Sequence, residues 1–171
     1  MRRLQAAALA AALLLVPACS GSDDDTLASA GSDCPKATLG VESKDTTRKP
    51  VLKDSCGPAP DELQVTDIVV GEGDEAAAGD TVSMQYVGVL YEDGTEFDAS
   101  WERGEPFEFQ LGGGMVIAGW DEGIVGMREG GRRQLVIPPE QGYGDQGAGG
   151  GVIPGGATLV FVVDLVEITG S

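Results

Sequence analysis

The sequence contains no histidine among its 171 residues. Histidine is the commonest proton shuttle and a frequent metal ligand, so Ser-His and Cys-His nucleophile pairs and histidine-bearing zinc sites cannot be built from this chain. We therefore expect no metal and no cofactor. Any chemistry must use carboxylates, tyrosines, backbone groups or the shape of a pocket.

Basic residues are also scarce, with 11 Lys and Arg against 28 Asp and Glu, which gives a formal net charge of −17. Such a charge repels phosphate backbones and anionic lipid headgroups through the field of the whole protein. Nucleic acid is therefore not expected as a partner. With 42% apolar residues, the chain can supply one modest core, so we expect one domain plus additional sequence.

The main apolar run lies near the N-terminus, where "LQAAALAAALLLVPAC" follows Arg2 and Arg3. Its apolar stretch of about a dozen residues is too short to span a bilayer but is typical of a signal peptide. The end of the run, "VPAC", resembles a bacterial lipobox in which Cys19 is the residue that is lipidated. We predict a signal peptide over residues 1–18 and an extracytoplasmic protein anchored to the cell membrane through lipidated Cys19. Secretion without an anchor is the alternative.

Residues 19–60 are rich in Ser, Asp, Thr, Lys and Pro and show no sustained hydrophobic period, as in "SGSDDDTLASAGSD". This composition predicts a flexible tether, and about 40 such residues have a reach of roughly 35 Å. Besides Cys19, the chain contains Cys34 and Cys56. Outside the cytoplasm two remaining cysteines most simply pair with each other, so we predict a disulfide between them.

Residues 61–171 have the pattern of a strand-rich domain. The stretches "ELQVTDIVV", "TVSMQYVGVL", "FEFQL", "RRQLVIP" and "TLVFVVDLVEI" are typical of strands, and Val82, Met84 and Tyr86 recur at period two. One stretch, "MVIAGWDEGIVGM", changes to helical spacing from Val116 to Met127. A single amphipathic helix and a sheet can each bury their apolar side only by packing together, which predicts an α+β domain with an antiparallel sheet.

Four stretches, in order, resemble the FKBP-type peptidyl-prolyl cis-trans isomerase family: "YVGVLYEDGTEFDAS", "PFEFQLGGGMVIAGWDEGIVGM", "GGRRQLVIPPEQGYG" and "VIPGGATLVFVVDLVEI". The resemblance extends from Glu62 to Ile168. It implies an FKBP-like α+β fold, in which a twisted antiparallel β-sheet wraps around one short α-helix and leaves an apolar pocket between them. It also implies isomerisation of X-Pro bonds, here in exported polypeptides whose folding the protein would assist.

The resemblance implies that this pocket binds the substrate proline through apolar side chains. Trp120 would form the floor beneath the proline ring, with Phe107 and Phe161 in the walls. Val116 would line the pocket, and Ile117 would offer its backbone N–H to a substrate carbonyl. Rapamycin-like macrolides are implied as further ligands of the same pocket.

The resemblance also implies which residues take part in catalysis. Tyr86 and Phe97 would line the pocket, and Asp98 would sit at its edge, oriented by Tyr86 and Arg103 and presenting oxygen atoms to the twisted amide. Tyr143, in the Pro- and Gly-rich stretch "IPPEQGYG", would donate a hydrogen bond from its phenol to a peptide carbonyl at the rim.

Two other functions fit parts of the pattern. A non-catalytic binding module or chaperone with the same fold would capture apolar or proline-containing segments, but the aromatic set together with Tyr143 favours an isomerase. A hydrolase using Asp121 and Glu122 is less favoured, because neighbouring residues on a helix point in different directions and usually line a solvated face.

Overall fold

The computed structural model describes residues 38–41 and 43–170, and this part of the chain contains eight strands and one α-helix. None of its helices has the length and apolar character needed to cross a membrane. Four single-turn 3-10 helices lie in the connections, at Ser100–Glu102, Pro139–Gln141, Gly144–Gln146 and Gly149–Gly151. The strands and the helix are β1 (Thr38–Val41), β2 (Leu52–Cys56), β3 (Gln64–Val69), β4 (Thr81–Leu90), β5 (Glu96–Ala99), β6 (Phe107–Gln110), α1 (Ala118–Gly123), β7 (Arg132–Ile137) and β8 (Leu159–Gly170).

Six of these strands form one antiparallel sheet in the order β3-β7-β8-β4-β5, with β6 also paired to β4. The outer side of β4 is shared, because Thr81–Met84 pairs with β6 and Val87–Val89 pairs with β5. Between these two partners, the amide of Tyr86 donates a hydrogen bond to Ser100 Oγ at 2.8 Å. The sheet with its single helix is the predicted FKBP-like α+β architecture.

The front face of the sheet carries the main core, which follows the predicted period of two. Val82, Met84 and Tyr86 of β4 are buried there with alternate residues of β8 and β7. The helix lies on this face and comes close to β7, because a Cβ on Gly119 would lie 2.5 Å from a methyl carbon of Ile137. Glycine at this position therefore lets the backbone of α1 approach the sheet directly.

The helix is shorter than the sequence pattern predicts. Only Ala118–Gly123 is helical, although the apolar spacing extends from Val116 to Met127. Ile117 is the N-cap and has extended backbone angles, φ −63° and ψ 149°. Glycines within the stretch explain the difference, since each glycine lowers helix propensity by about 1 kcal/mol relative to alanine.

The back face of the sheet is covered by residues 43–58, which we call the strap. Arg132 is fully buried there, pairs with Asp164 through two hydrogen bonds of 2.6 and 2.8 Å, and donates to the backbone oxygens of Ser43 and Arg48 at 2.8 Å each. At the other end of the strap, Tyr91 Oη donates to Gly57 O at 3.1 Å.

The strap lies within residues 19–60, which the sequence predicts to be a flexible tether. The folded part of the chain therefore begins before residue 61, because the buried guanidinium of Arg132 needs acceptors that the strap backbone provides. The predicted signal peptide and Cys19 lie outside the described residues. So does Cys34, and with it the predicted disulfide to Cys56.

Candidate active site

A pocket of about 820 Å³ opens on the front face between the sheet, the N-terminal end of α1 and the loop before β8. The predicted catalytic and substrate-binding residues all line this pocket except Arg103, which contacts two of the lining residues instead. The lining comprises Tyr86, Phe97, Asp98, Phe107, Met115, Val116, Ile117, Trp120, Gly142, Tyr143, Ala148, Gly149, Val152, Ile153 and Phe161. Segments distant in sequence thus converge on a single site.

Trp120 forms the centre of the aromatic contacts in the pocket. Its side chain is 4% exposed, and its ring meets those of Tyr86 and Phe161 edge to face at centroid distances of 5.1 and 5.2 Å. Phe107 approaches it at 6.3 Å. Edge-to-face aromatic pairs contribute stability beyond the burial of their surface, so these rings hold one another in place around the pocket.

Phe109 also supports the floor, although it is not among the site residues predicted from the sequence. It is 3% exposed, stacks on Phe107 at 5.5 Å and lies 5.6 Å from Trp120. The available signal was its position two residues after Phe107 in β6, which places both rings on one side of the strand.

Gly88 of β4 allows two aromatic walls to meet. A Cβ at this position would lie 2.7 Å from ring atoms of both Phe97 and Phe161. The two rings are edge to face with centroids 5.5 Å apart. Any larger residue would displace both rings, so the glycine is needed for the shape of the pocket.

Three polar groups, Tyr86, Asp98 and Arg103, form a hydrogen-bonded set at one edge of the pocket. Tyr86 Oη donates to Asp98 Oδ2, while Arg103 donates to Asp98 Oδ1 at 2.6 Å and to Tyr86 Oη at 2.7 Å. The guanidinium carbon also lies 5.4 Å from the centroid of the Tyr86 ring. Each member of the set therefore contacts the other two, and the carboxylate orientation is fixed from two directions.

These contacts determine the protonation states at the edge of the pocket. Burial and the hydrogen bond to Asp98 raise the pKa of Tyr86 to about 12. Burial opposes ionisation of Asp98, but hydrogen bonds from Tyr86 and Arg103 outweigh it and lower the pKa of this carboxyl below its usual value. At neutral pH the phenol is therefore neutral and the carboxylate is charged.

The N-terminal end of α1 supplies backbone groups to the pocket. Ile117 O accepts the first hydrogen bonds of the helix, from Trp120 N at 2.9 Å and Asp121 N at 3.3 Å. The N–H of an N-cap residue has no carbonyl partner within its own helix, so the Ile117 amide is suited to a ligand carbonyl. Val116 and Ile117 are both partly buried in the lining.

The two acidic residues of α1 do not converge on one site. Asp121 accepts hydrogen bonds from the backbone amides of Gly112 and Gly114, at 2.8 and 2.9 Å. Glu122 accepts from Gln141 Nε2 at 2.7 Å. Asp121 thus fixes the loop before the helix, and the pair lacks the arrangement that a carboxylate hydrolase requires.

Tyr143 lies at the rim, between the 3-10 turns Pro139–Gln141 and Gly144–Gln146, and is 40% exposed. Burial and the negative charge of Asp98 raise its pKa. Its phenol is therefore protonated at neutral pH and available as a donor. Two further rim residues, Met115 and Val152, are 70% and 55% exposed. They are not among the predicted site residues, because an exposed loop residue carries no periodic signal in the sequence.

Comparisons with known proteins agree with this architecture. The sequence profile described as FKBP-type peptidyl-prolyl cis-trans isomerase matches residues 73–166. A protein of Streptomyces anulatus named FK506-binding protein is 55% identical over 120 residues, which is 70% of this chain and 97% of that protein. The FK506-binding protein of Neisseria meningitidis serogroup A is 51% identical over 106 residues, or 62% of this chain and 95% of that protein.

Solved structures give the same result. The crystal structure of AtFKBP13 matches with a TM-score of 0.59 and 42% identity, covering 65% of this chain and 96% of that one. The crystal structure of FkpA from Escherichia coli matches with a TM-score of 0.57 and 44% identity, covering 63% of this chain and 48% of that one. Because the family profile spans more than half of its length, the chain belongs to the FKBP-type peptidyl-prolyl cis-trans isomerase family.

Proposed function

We propose that the aromatic pocket is the site at which this isomerase rotates X-Pro peptide bonds. Resonance raises the barrier to rotation of a peptide bond to about 18 to 20 kcal/mol. The twisted transition state has lost this resonance and is less polar than the planar amide, so an apolar pocket with little water stabilises it selectively. The observation that carries this proposal is the set of aromatic rings packed around the buried Trp120.

Two hydrogen-bond donors would orient the substrate in this pocket. The proline ring would lie over Trp120, with the backbone N–H of Ile117 donating to one substrate carbonyl. The phenol of Tyr143 would donate to another carbonyl at the rim, where its raised pKa keeps it protonated. A thousandfold acceleration requires a differential stabilisation of only about 4 kcal/mol, which pocket shape and a few hydrogen bonds can supply.

Asp98 would present its carboxylate to the twisted amide while Tyr86 and Arg103 hold it in place. Its lowered pKa makes it a poor proton acceptor, and the pKa of Tyr86, about 12, makes that phenol a poor proton donor. The proposed reaction therefore involves no proton transfer and no covalent intermediate. Each of these groups acts through charge and position.

We further propose that macrolides of the FK506 and rapamycin type compete with substrate for this pocket. The Streptomyces anulatus and Neisseria meningitidis relatives are named as FK506-binding proteins. The volume of about 820 Å³ lies within the range of about 300 to 1,000 Å³ that is usual for small-molecule sites. Met115 and Val152 would add apolar contacts at the rim.

We also propose that the substrates are polypeptides that fold outside the cytoplasm, and that lipidated Cys19 anchors the enzyme to the cell membrane. The support is the apolar N-terminal run with its "VPAC" ending. The residues between Cys19 and β1 would then act as the tether. A tether of this kind would let the pocket reach segments emerging at the membrane surface.

A protease-coupled assay on a short X-Pro peptide tests the proposed site. The wild-type chain should accelerate isomerisation, and rapamycin should inhibit it in competition with the peptide. If the chain binds the peptide but does not accelerate isomerisation, it is a non-catalytic binding module. If activity persists when rapamycin saturates the chain, catalysis takes place outside this pocket.

A further inference from the structure

Lys49 of the strap contacts two acidic residues that flank part of the pocket. Its Nζ donates to Glu96 Oε1 at 2.8 Å and to Glu102 Oε1 at 3.0 Å. The lysine side chain is 35% exposed, and those of Glu96 and Glu102 are 37% and 72% exposed. The Lys49 ammonium group therefore bridges Glu96 of β5 and Glu102 of the following 3-10 turn.

The segment that contains the two glutamates, residues 96–103, contributes three residues to the pocket and its edge. Phe97 and Asp98 line the pocket, and Arg103 holds Asp98 and Tyr86. The segment begins with β5, which is an edge strand paired only with β4 among the described strands. Since an edge strand is held on one side, a contact from outside the sheet has a large influence on its position.

The strap backbone next to Lys49 is held firmly in place. The preceding residue, Arg48, accepts a hydrogen bond at its backbone oxygen from the buried Arg132 at 2.8 Å. The following residue, Pro50, is buried. Leu52 packs against buried apolar residues on the back face of the sheet, as does Trp101 from the 96–103 segment. Lys49 thus extends from a fixed backbone rather than from a mobile arm.

We propose that Lys49 is a positioning residue for isomerisation, which acts through Glu96 and Glu102 to hold Phe97, Asp98 and Arg103 in their pocket geometry. This inference rests on the proposed function, because it assumes that isomerisation takes place in this pocket. Without the bridge, the 96–103 segment spends part of its time in other positions. The apparent affinity for substrate then falls in proportion to the fraction of molecules that remain competent.

The bridge is present throughout the physiological pH range. The hydrogen bond to Glu96 raises the pKa of Lys49 above its ordinary value, so the lysine stays charged wherever the protein is assayed. Salt, in contrast, weakens a partly exposed ion pair because counterions screen it. The contribution of the bridge to kcat/KM should therefore depend on salt concentration and not on pH within this range.

The test uses the mature chain and compares Lys49→Met with Lys44→Met. Lys44 is also in the strap, so its substitution removes the same charge, but it does not bridge the 96–103 segment. We expect kcat/KM for an X-Pro peptide to fall about two- to fivefold in Lys49→Met, the usual range for an exposed pair. Lys44→Met should keep the wild-type value, and Lys49→Arg should restore most of the activity.

A double-mutant cycle separates positioning from a general loss of stability. In a Glu96→Gln, Glu102→Gln background, the Lys49→Met change should have no further effect on kcat/KM. High salt should lower the wild-type value toward that of Lys49→Met. Thermal unfolding of every variant is the control. If each variant is fully folded at the assay temperature, a general loss of stability cannot account for a change in kcat/KM.

The outcomes distinguish failure of this inference from failure of the proposed function. If wild type is active and rapamycin-sensitive but Lys49→Met equals Lys44→Met, or if the Lys49→Met effect persists in the Gln background, Lys49 is not a positioning residue. If wild type is inactive, or remains active when rapamycin is saturating, the pocket itself has been misassigned.

Discussion

Tyr86 donates a hydrogen bond to Asp98, so a neutral phenol fixes a charged carboxylate at the edge of an apolar pocket. Arg103 completes the contact by donating to both residues. The arrangement keeps the carboxylate ionised without solvating it fully. A fixed charge of this kind interacts with the dipole of a bound amide. That dipole changes when the amide twists, so the interaction differs between the planar and the twisted states.

Trp120→Ala and Phe161→Ala should both abolish most of the isomerase activity and destabilise the fold. Each ring borders the core as well as the pocket, and truncation of a buried aromatic side chain costs about 3 to 5 kcal/mol of unfolding free energy. Leu111→Ala is the matched control, because Leu111 is fully buried in the same core but does not line the pocket.

This control should lose about 2 to 5 kcal/mol of stability and retain its kcat/KM under conditions where it is folded. Urea unfolding and the peptide assay on the same samples give both quantities. Wild-type kcat/KM in folded Trp120→Ala would move the active site elsewhere. Equal losses of kcat/KM in all three variants would mean that the loss of activity comes from damage to the core and not from the pocket.

Tyr143→Phe keeps the ring and removes only the hydroxyl. If this hydroxyl donates one hydrogen bond to substrate, kcat/KM should fall by a factor equivalent to about 0.5 to 1.5 kcal/mol, with little change in stability. The half-exposed position of the ring makes the folding effect small. Complete loss of activity in this variant would show that Tyr143 transfers a proton.

The stability of the protein should depend on Asp98 in a defined pH range. The folded-state pKa of Asp98 is depressed below 3.8, so its contribution to stability is present above that value and is lost as pH falls through the folded pKa. The difference in unfolding free energy between wild type and Asp98→Asn should therefore be larger at pH 7 than at about pH 3. Arg103→Met removes one partner of the carboxylate. The unfolding free energy of this variant should therefore depend less on pH over the same range than that of wild type.

Urea unfolding of the three proteins across this range measures the effect. A difference between wild type and Asp98→Asn that stays constant from neutral to acid pH would contradict the assigned contacts. The same Asp98→Asn variant should have lower kcat/KM without being inactive, since the proposed reaction uses the charge of Asp98 and not its proton.

Much of the fold is predictable from the sequence because its signal is local. The alternation of Val82, Met84 and Tyr86 identifies β4, and the β-branched run in β8 identifies a central strand. The pocket residues follow from the family resemblance, since Trp120 or Phe161 alone has the pattern of an ordinary core residue. In the structure, Trp120 is both buried in the core and part of the pocket lining.

The strap was not predictable because its contacts are long-range. A polar, Pro-containing segment has the composition of a tether, and nothing in its own residues indicates that Arg132, more than 80 positions later, requires its carbonyl groups. The length of α1 was overestimated for a related reason. The apolar residues at both ends of the pattern, Val116 and Met127, serve the pocket and the core without being helical.

The proposed membrane anchor has a separate test. Globomycin, which blocks processing of lipoproteins, should cause the unprocessed precursor to accumulate, and Cys19→Ala should release the protein from the membrane fraction. Stable anchoring requires more than one acyl chain or an equivalent signal, so loss of the lipidated residue should be sufficient for release. Retention of Cys19→Ala in the membrane fraction would contradict the proposed lipid anchor. The protein would then be attached to the membrane in another way.

The dependence of kcat/KM on pH tests the central claim, that the pocket catalyses rotation without proton transfer. The chain has no histidine, the pKa of Asp98 lies below its usual value, and the pKa of Tyr86 is about 12. The wild-type profile for an X-Pro peptide should therefore be nearly flat between about pH 6 and 8. A bell-shaped profile centred in that interval would mean general acid-base catalysis and would contradict the mechanism proposed for this pocket.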